Sequence, residues 1–404
     1  MELPEDLTFE MFDPSFRANP YKFYAGLRES GGVRRVHFPA YSDVWLVTRY
    51  ADARAVLTDP RLSKDPANVS ASLLEAIVAG EGEDNLPLMS SMLNSDPPDH
   101  TRLRKLVVRA FTSRRVMALR PRIQEIADDL LAELAPKGQA DLIDGFAFPL
   151  PITVICELLG IPVADRDAFR KWSTLLTAAD EDERQQVAWA YEQLHGYLAE
   201  FVARKRREPD QGLISALVSA ESHEDRAEDF ADEEIVTMSL LLLVAGHETT
   251  VNLIGNGLIA LLTHPDQLAA LRADESLLGP AVEEFLRYDG PVETATWRYT
   301  TEPVEIGGVT IPSGEAVLVV LAAADRDPER FSAPDRLDIT RAENPHLAFG
   351  HGIHYCLGAP LARLEGQIAL GTVLRRFPDL ALAVPSANCA GAPVSSCAAS
   401  TACP

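Results

Sequence analysis

The ten residues Phe349-Gly350-His351-Gly352-Ile353-His354-Tyr355-Cys356-Leu357-Gly358 constrain this chain more than any other stretch. They set one cysteine in a glycine-rich bend, directly before Ala359-Pro360-Leu361-Ala362-Arg363-Leu364-Glu365, whose apolar spacing is helical. Gly350, Gly352 and Gly358 let the main chain turn tightly and come close to a flat ligand. A cysteine thiol ionises near about 8.5, and N–H dipoles, a helix N-terminus and a metal each favour its thiolate. One cysteine cannot complete a tetrahedral zinc or an iron–sulfur site, and no second cysteine lies within the next thirty residues. A haem iron needs a single proximal ligand from the protein, so the count suits haem. For the decapeptide alone, a half-buried loop cysteine is the plain alternative.

The 404 residues, 47% of them hydrophobic, can bury a large core in one big domain or two closely fused lobes. Sixty acidic against 37 Lys and Arg side chains give a net charge of -23, which argues against general nucleic-acid binding. The charge is uneven. Thr101 to Arg122 holds Arg102, Arg104, Lys105, Arg109, Arg114, Arg115, Arg120 and Arg122 and no acid, so it reads as a docking face for an acidic partner plus one inward arginine for an anionic cofactor. Five cysteines make no disulfide framework. Cys156, in the apolar run Ile152 to Leu159, reads as core packing, and Cys389, Cys397 and Cys403 lie in a small-residue tail without a nearby histidine. The N-terminus carries no basic region followed by an apolar one. Glu157 and two prolines interrupt the stretch Gly145 to Gly160, and no other apolar stretch reads as a membrane span. The expectation is a cytoplasmic monomer with no membrane and no nucleic-acid partner.

Along the chain, a short helix is expected after Pro20, a hairpin from Val33 to His37 with Val44 to Thr48, and a helix over Ala51 to Leu57. Leu62 to Asp96 mixes turn formers with scattered apolar residues, as a loop covering a pocket would. Pro98 and Asp99 suit a helix start, with His100 and Arg104 four apart on one face. Helical periodicity covers Pro121 to Leu134, Pro151 to Leu159, Ala164 to Ala178, Glu181 to Lys205 and Gln211 to Val218, before the acidic turn Glu221 to Glu228. Short strands are expected at Val304 to Ile306, Val309 to Ile311 and Ala316 to Val320, and a helix from Leu361 to Phe377 behind the cysteine loop.

Asp232 to Leu262 is the longest periodic segment and reads as an axis through the core. At its middle, Gly246 weakens a helix and Thr249 pulls on its own carbonyls, so Ala245-Gly246-His247-Glu248-Thr249-Thr250 is expected to open or widen. A zinc-protease pattern would need a second histidine at position 251, where Val251 stands. Thr249 can instead hydrogen-bond dioxygen or ordered water while Glu248 relays protons. Further on, Glu284 and Arg287 are three apart and share a helix face.

Phe349-Gly350-x-Gly352-x-His354-x-Cys356-x-Gly358 resembles the haem-binding signature of the cytochrome P-450 superfamily, the haem-thiolate monooxygenases, and the likeness extends over nearly the whole chain. It implies a mainly α fold with small β-sheets, a triangular prism holding haem between the long central helix and the cysteine loop. Residues 1–404 would form one domain with a small N-terminal β-rich lobe and a large helical lobe, ending in an atypical tail over 386–404.

The resemblance implies Cys356 as the iron ligand and Glu248 and Thr249 as catalytic residues. It places His100, Arg104, Arg298 and His354 on the haem propionates, with Ala245, Gly246, Phe349 and Gly358 also at the cofactor. Glu284, Arg287 and Arg336 would form a buried ion pair, Leu93, Leu242, Ala245, Val292 and Ala295 would line the substrate pocket, and Phe169 to Glu183 would form its roof. The cofactor implied is haem b with dioxygen as co-substrate, and NAD(P)H would feed electrons through ferredoxin reductase and ferredoxin. Likeness to soluble bacterial members that hydroxylate macrolides, polyketides and sterol-like compounds points to a bulky apolar substrate. Two rivals are a peroxide-dependent peroxygenase and a haem-binding sensor or carrier without turnover. The tail departs from the family, with no strand period and no charge after Asp379, as an altered reading frame or replaced terminus would leave it.

Overall fold

The computed structural model describes Thr8, Phe16 and residues 19–38, 42–70, 91–176, 184–219, 231–383, 391–394 and 397–400. In chain order its elements begin with α1 (Pro20–Glu29), β1 (Val33–Phe38), β2 (Ser42–Val47), α2 (Tyr50–Val56) and β3 (Leu62–Ser63). Next come α3 (Asp99–Ala110), α4 (Ser113–Ala118), α5 (Arg120–Leu134), α6 (Pro149–Leu159), α7 (Arg166–Leu176), α8 (Arg184–Arg207) and α9 (Leu213–Ser219). The last part holds α10 (Asp232–Thr263), α11 (Pro265–Ala273), α12 (Leu278–Tyr288), β4 (Arg298–Thr300), β5 (Val304–Ile306), β6 (Val309–Ile311) and β7 (Ala316–Val319). It closes with α13 (Leu321–Ala324), α14 (Ala359–Arg376), β8 (Gly391–Val394) and β9 (Cys397–Ser400). The fold is mainly α with small β-sheets, as the sequence indicates.

The chain divides into two compact units. One comprises 1–86, 256–356 and 390–400 and carries every described strand. Its five-stranded sheet has the order β1-β2-β7-β4-β3, in which β2 and β7 run parallel and the other pairs antiparallel. Val33, Val47, Tyr50, Leu62, Val317, Phe331 and Leu347 share a core that knits this sheet to α2 and to the approach of the cysteine loop. Each large side chain buried there contributes roughly 1.5–3 kcal/mol.

The second unit comprises 87–255, 357–389 and 401–404 and is helical. Its α14 packs against α5 and α4. Proline at the start of α14 and Arg375 and Arg376 in its last turn suit the helix dipole. At the end of α6, Gly160 takes φ 85°, and Ile161 N–H donates to Cys156 O at 2.8 Å, so a left-handed residue closes the helix.

Three expectations change. The segment of α10 from Ala245 to Thr250 is continuous α-helix and is not widened, because Thr249 Oγ1 donates to Ala245 O at 2.9 Å without displacing the helical ladder. The tail does form strands: β8 and β9 pair antiparallel with Gly391 opposite Ser400 and Val394 opposite Cys397, since strand pairing uses the main chain and needs no apolar alternation. Among the described residues one helix, α10, is long and apolar enough by composition to cross a membrane, with mean hydropathy 1.2 over its best window, yet 56% of that window is buried in the protein. Expectations over 71–90, 177–183, 220–230, 384–390 and 401–404, including the middle of the pocket loop, part of the roof, the acidic turn, Cys389 and Cys403, lie outside the described residues.

Candidate active site

In the first unit, the cysteine loop is shaped by its own main chain. Gly350 N–H donates to Leu347 O at 2.7 Å, Tyr355 N–H to Gly352 O at 3.1 Å, and Cys356 N–H to Phe349 O at 2.9 Å. Those last two N–H groups are engaged with carbonyls rather than with the sulfur. Gly352 has φ 77°, and a Cβ there would stand 2.7 Å from Leu57 O, so only glycine fits this close approach. Cys356 ends the loop exposed, with Ile353 and Tyr355 exposed beside it. Phe349 and His354 are half-buried. Gly358 caps α14, accepting from Leu361 N–H at 2.9 Å and Ala362 N–H at 3.0 Å.

A buried polar network anchors the chain that leads into this loop. Glu284 and Arg287 on α12 are both fully buried and paired at 2.8 Å. Glu284 also accepts from Asp338 N–H at 2.9 Å, Arg341 Nε at 3.0 Å and Asn344 Nδ2 at 3.2 Å. Arg287 donates to the carbonyls of Asp325 at 2.9 Å, Pro334 at 2.7 Å and Arg336 at 3.2 Å. The expected third member therefore changes: Arg336 has an exposed side chain and supplies only its carbonyl, and Arg341 brings the second guanidinium to Glu284. Both arginines sit in the same polar turn, and only the path of the turn separates their roles.

Closer to the loop, Leu347 N–H donates to Asp325 Oδ1 at 2.7 Å, and His346 Nε2 lies 3.1 Å from Glu283. Burial pushes the Asp325 carboxyl up to about 7, against the opposing pull of His346, the Leu347 N–H and Arg287. Arg298, 4% exposed on β4, donates to Thr296 O at 3.2 Å. Val292 and Ala295, expected at the pocket, are half-buried against the sheet core.

The second unit carries the other expected residues. On α10, Ala245 is exposed, and Leu242, Gly246, Glu248 and Thr249 are half-buried. A Cβ on Gly246 would stand 3.1 Å from Ile155, so this glycine also lets α6 approach α10. His247 points the other way: it is buried, its Nδ1 lies 2.9 Å from Leu243 O, and its ring meets Phe148 edge-on. Burial drops its pKa to about 4, so it is neutral and held as packing. On α3, His100 is buried and Arg104 half-buried. Burial, then the Arg104 charge, hold His100 below the ordinary histidine range. Leu93 is half-buried in the turn Met92–Asn94.

Sequence reasoning missed Lys64, Arg341 and Glu365. Glu365 lies on α14, 1% exposed, with Oε2 lacking a hydrogen-bond partner among the described residues, and burial holds its carboxyl well above the usual range. Its place on the face of Leu361, Leu364 and Ile368 was legible from helical spacing.

The donor set fits haem. In the first unit it offers one exposed cysteine on a glycine-held loop and the buried cation Arg298 as a candidate for a carboxylate, the second unit carries His100 and Arg104, and the described residues contain no group of three or more His, Cys, Asp or Glu able to hold a bare metal ion. Fold and site define a haem-thiolate monooxygenase. The sequence pattern of the family Cytochrome P-450 matches residues 169–380, and the chain belongs to that family. It is 54% identical over 383 residues to the cytochrome P-450 monooxygenase PikC of Streptomyces venezuelae, covering 94% of this chain and 89% of the relative. It is 52% identical over 375 residues to the vitamin D(3) 25-hydroxylase of Pseudonocardia autotrophica, covering 93% and 90%. Among solved structures, the Bacillus subtilis 168 bacillaene polyketide synthase cytochrome P-450 PksS matches with TM-score 0.86 at 37% identity, covering 98% of this chain and all of the other.

Proposed function

We propose that the protein uses dioxygen and two electrons to hydroxylate or epoxidise a bulky apolar molecule such as a macrolide, another polyketide or a sterol-like compound. The observation that carries this reading is the exposed sulfur of Cys356, held by the Phe349–Gly358 loop at the start of α14. Relatives named as a vitamin D(3) 25-hydroxylase and a polyketide synthase cytochrome support the substrate class.

In this reading Cys356 ligates the iron, Arg298, His100, Arg104 and His354 bind the propionates, and Ala245, Gly246, Phe349 and Gly358 border the porphyrin. When bound, the haem supplies reductive activation of dioxygen and transfer of one oxygen atom to carbon. Thr249, whose hydroxyl proton is held on Ala245 O at 2.9 Å, accepts a hydrogen bond from water on its oxygen lone pairs. Glu248 passes protons inward, and Leu93, Leu242, Ala245, Val292 and Ala295 exclude water from the substrate.

Electrons come from NAD(P)H through ferredoxin reductase and an acidic ferredoxin in the cytoplasm. Of the eight basic residues first assigned to the docking face, Arg102 pairs with Glu234 and Arg122 with Glu157 and Glu125. Arg115 donates to Ala110 O at 3.2 Å. In this reading the docking face is carried by the exposed Arg109, Arg114 and Arg120, with exposed Val108 and Met117 between them.

The test combines the purified holoprotein with ferredoxin, reductase and NAD(P)H and a panel of macrolides, polyketides and sterols. A substrate that shifts the haem spectrum should be oxygenated. Thr249→Ala should keep consuming NAD(P)H while product per NAD(P)H falls about tenfold. Unchanged coupling would remove Thr249 from the mechanism, and product formed from peroxide but never from reductant would overturn the dioxygen reading.

A further inference from the structure

We propose that Lys64 is a positioning residue for the carboxylate end of the haem, acting through the Thr296–Arg298 segment. This rests on the reading of Arg298 as a propionate contact. Strand β3 pairs antiparallel with β4, Leu62 opposite Thr300 and Ser63 opposite Tyr299. Lys64 directly follows β3, and Arg298 opens β4.

Both cations are buried, Lys64 at 1% exposure and Arg298 at 4%. They also grip the same stretch of chain. Lys64 Nζ donates to Thr296 Oγ1 and to Trp297 O, each at 2.6 Å, while Arg298 Nη1 donates to Thr296 O at 3.2 Å. An ammonium is costly to take out of water, and the Thr296 hydroxyl and Trp297 carbonyl replace water at Lys64 Nζ. By holding Thr296 and Trp297, Lys64 fixes the main chain that carries Arg298, so a carboxylate that reaches Arg298 finds a guanidinium whose backbone is already tied down. The local sequence, Leu62-Ser63-Lys64-Asp65, reads as an ordinary polar turn and gives no hint of this burial.

The experiment compares wild type, Lys64→Met, Lys64→Arg, Arg298→Lys and the Lys64→Met/Arg298→Lys double variant as holoproteins. It reads haem loss to excess apomyoglobin, the reduction potential, and the propionate bending modes by resonance Raman spectroscopy. Lys64→Met should keep the thiolate-type ferrous carbon-monoxide absorption, lose haem about tenfold faster, show a shifted propionate mode and have a more negative potential. Lys64→Arg should restore most of the retention. In the Arg298→Lys background, Lys64→Met should add little, because its effect passes through Arg298. Should Lys64→Met fail to fold, Thr296→Val removes the hydroxyl acceptor with Lys64 in place and should also speed haem loss. Wild-type haem loss and propionate modes in Lys64→Met or in Thr296→Val, or full additivity with Arg298→Lys, would overturn the role of Lys64. A wild type that lacks the thiolate absorption would instead overturn the cofactor reading itself.

Discussion

Burial sets the protonation of several side chains that composition alone would leave at their ordinary values. It raises the Cys156 thiol to about 12, which keeps that cysteine an inert member of the α6 core. It raises Asp325 to about 7. A carboxyl whose folded-state pKa lies above its unfolded value binds more protons when folded, so its contribution is fully present below about pH 4 and lost as pH rises through about 7. The shift corresponds to a loss on the order of 4 kcal/mol across that window. Asp325→Asn keeps an oxygen for the Leu347 N–H and removes the titration. Denaturant unfolding should therefore show the variant gaining on wild type between pH 5 and pH 8, and parallel pH profiles would contradict the assignment. At this scale the proposed ligand stood out because Cys356 sits in a pattern of glycines. Lys64 was not legible, because a lysine beside a two-residue strand carries no periodicity to announce its burial.

Among the elements, α10 and α14 could be read from their apolar spacing to within a few residues, and β1 with β2 from their short Val-rich runs. The unbroken helix at Gly246 and Thr249 could not. Sequence gives the tendency of Thr249 to bond its own carbonyls, but whether a helix yields depends on what packs against it, here Ile155 against Gly246. The Glu284 network teaches the same lesson. A carboxylate and an arginine three apart on α12 announced a pair, while the choice between Arg336 and Arg341 depended on a turn whose path no local pattern specifies. Arg341→Ala should lower stability by roughly 3 kcal/mol, because Glu284 stays buried with one cation removed. Arg336→Ala should change it by less than about 0.5 kcal/mol, its side chain being exposed. Equal losses in urea titrations of the two variants would contradict this division. The tail strands were missed because small residues give no alternation, although their backbone groups pair regardless.

For the whole molecule, a net charge of -23 repels an acidic protein everywhere except where cations are gathered. Delivery of electrons from an acidic ferredoxin should therefore slow steeply as salt rises from low to physiological ionic strength, and Arg109→Glu with Arg114→Glu should flatten that dependence. Stopped-flow reduction at several salt concentrations measures it, and a rate indifferent to salt would place the docking face elsewhere. The family and the character of the fold were legible across the chain because the Cys356 loop, the α10 centre and the α12 pair occur in one order with workable spacing. Substrate identity was not, since it depends on pocket shape contributed by loops that carry little pattern. The proposed activity depends on one sulfur atom holding the iron. The ferrous carbon-monoxide spectrum of wild type beside Cys356→Ser tests that directly: a thiolate-type absorption should be present in the first and absent from the second, and identical spectra in the two proteins would contradict it.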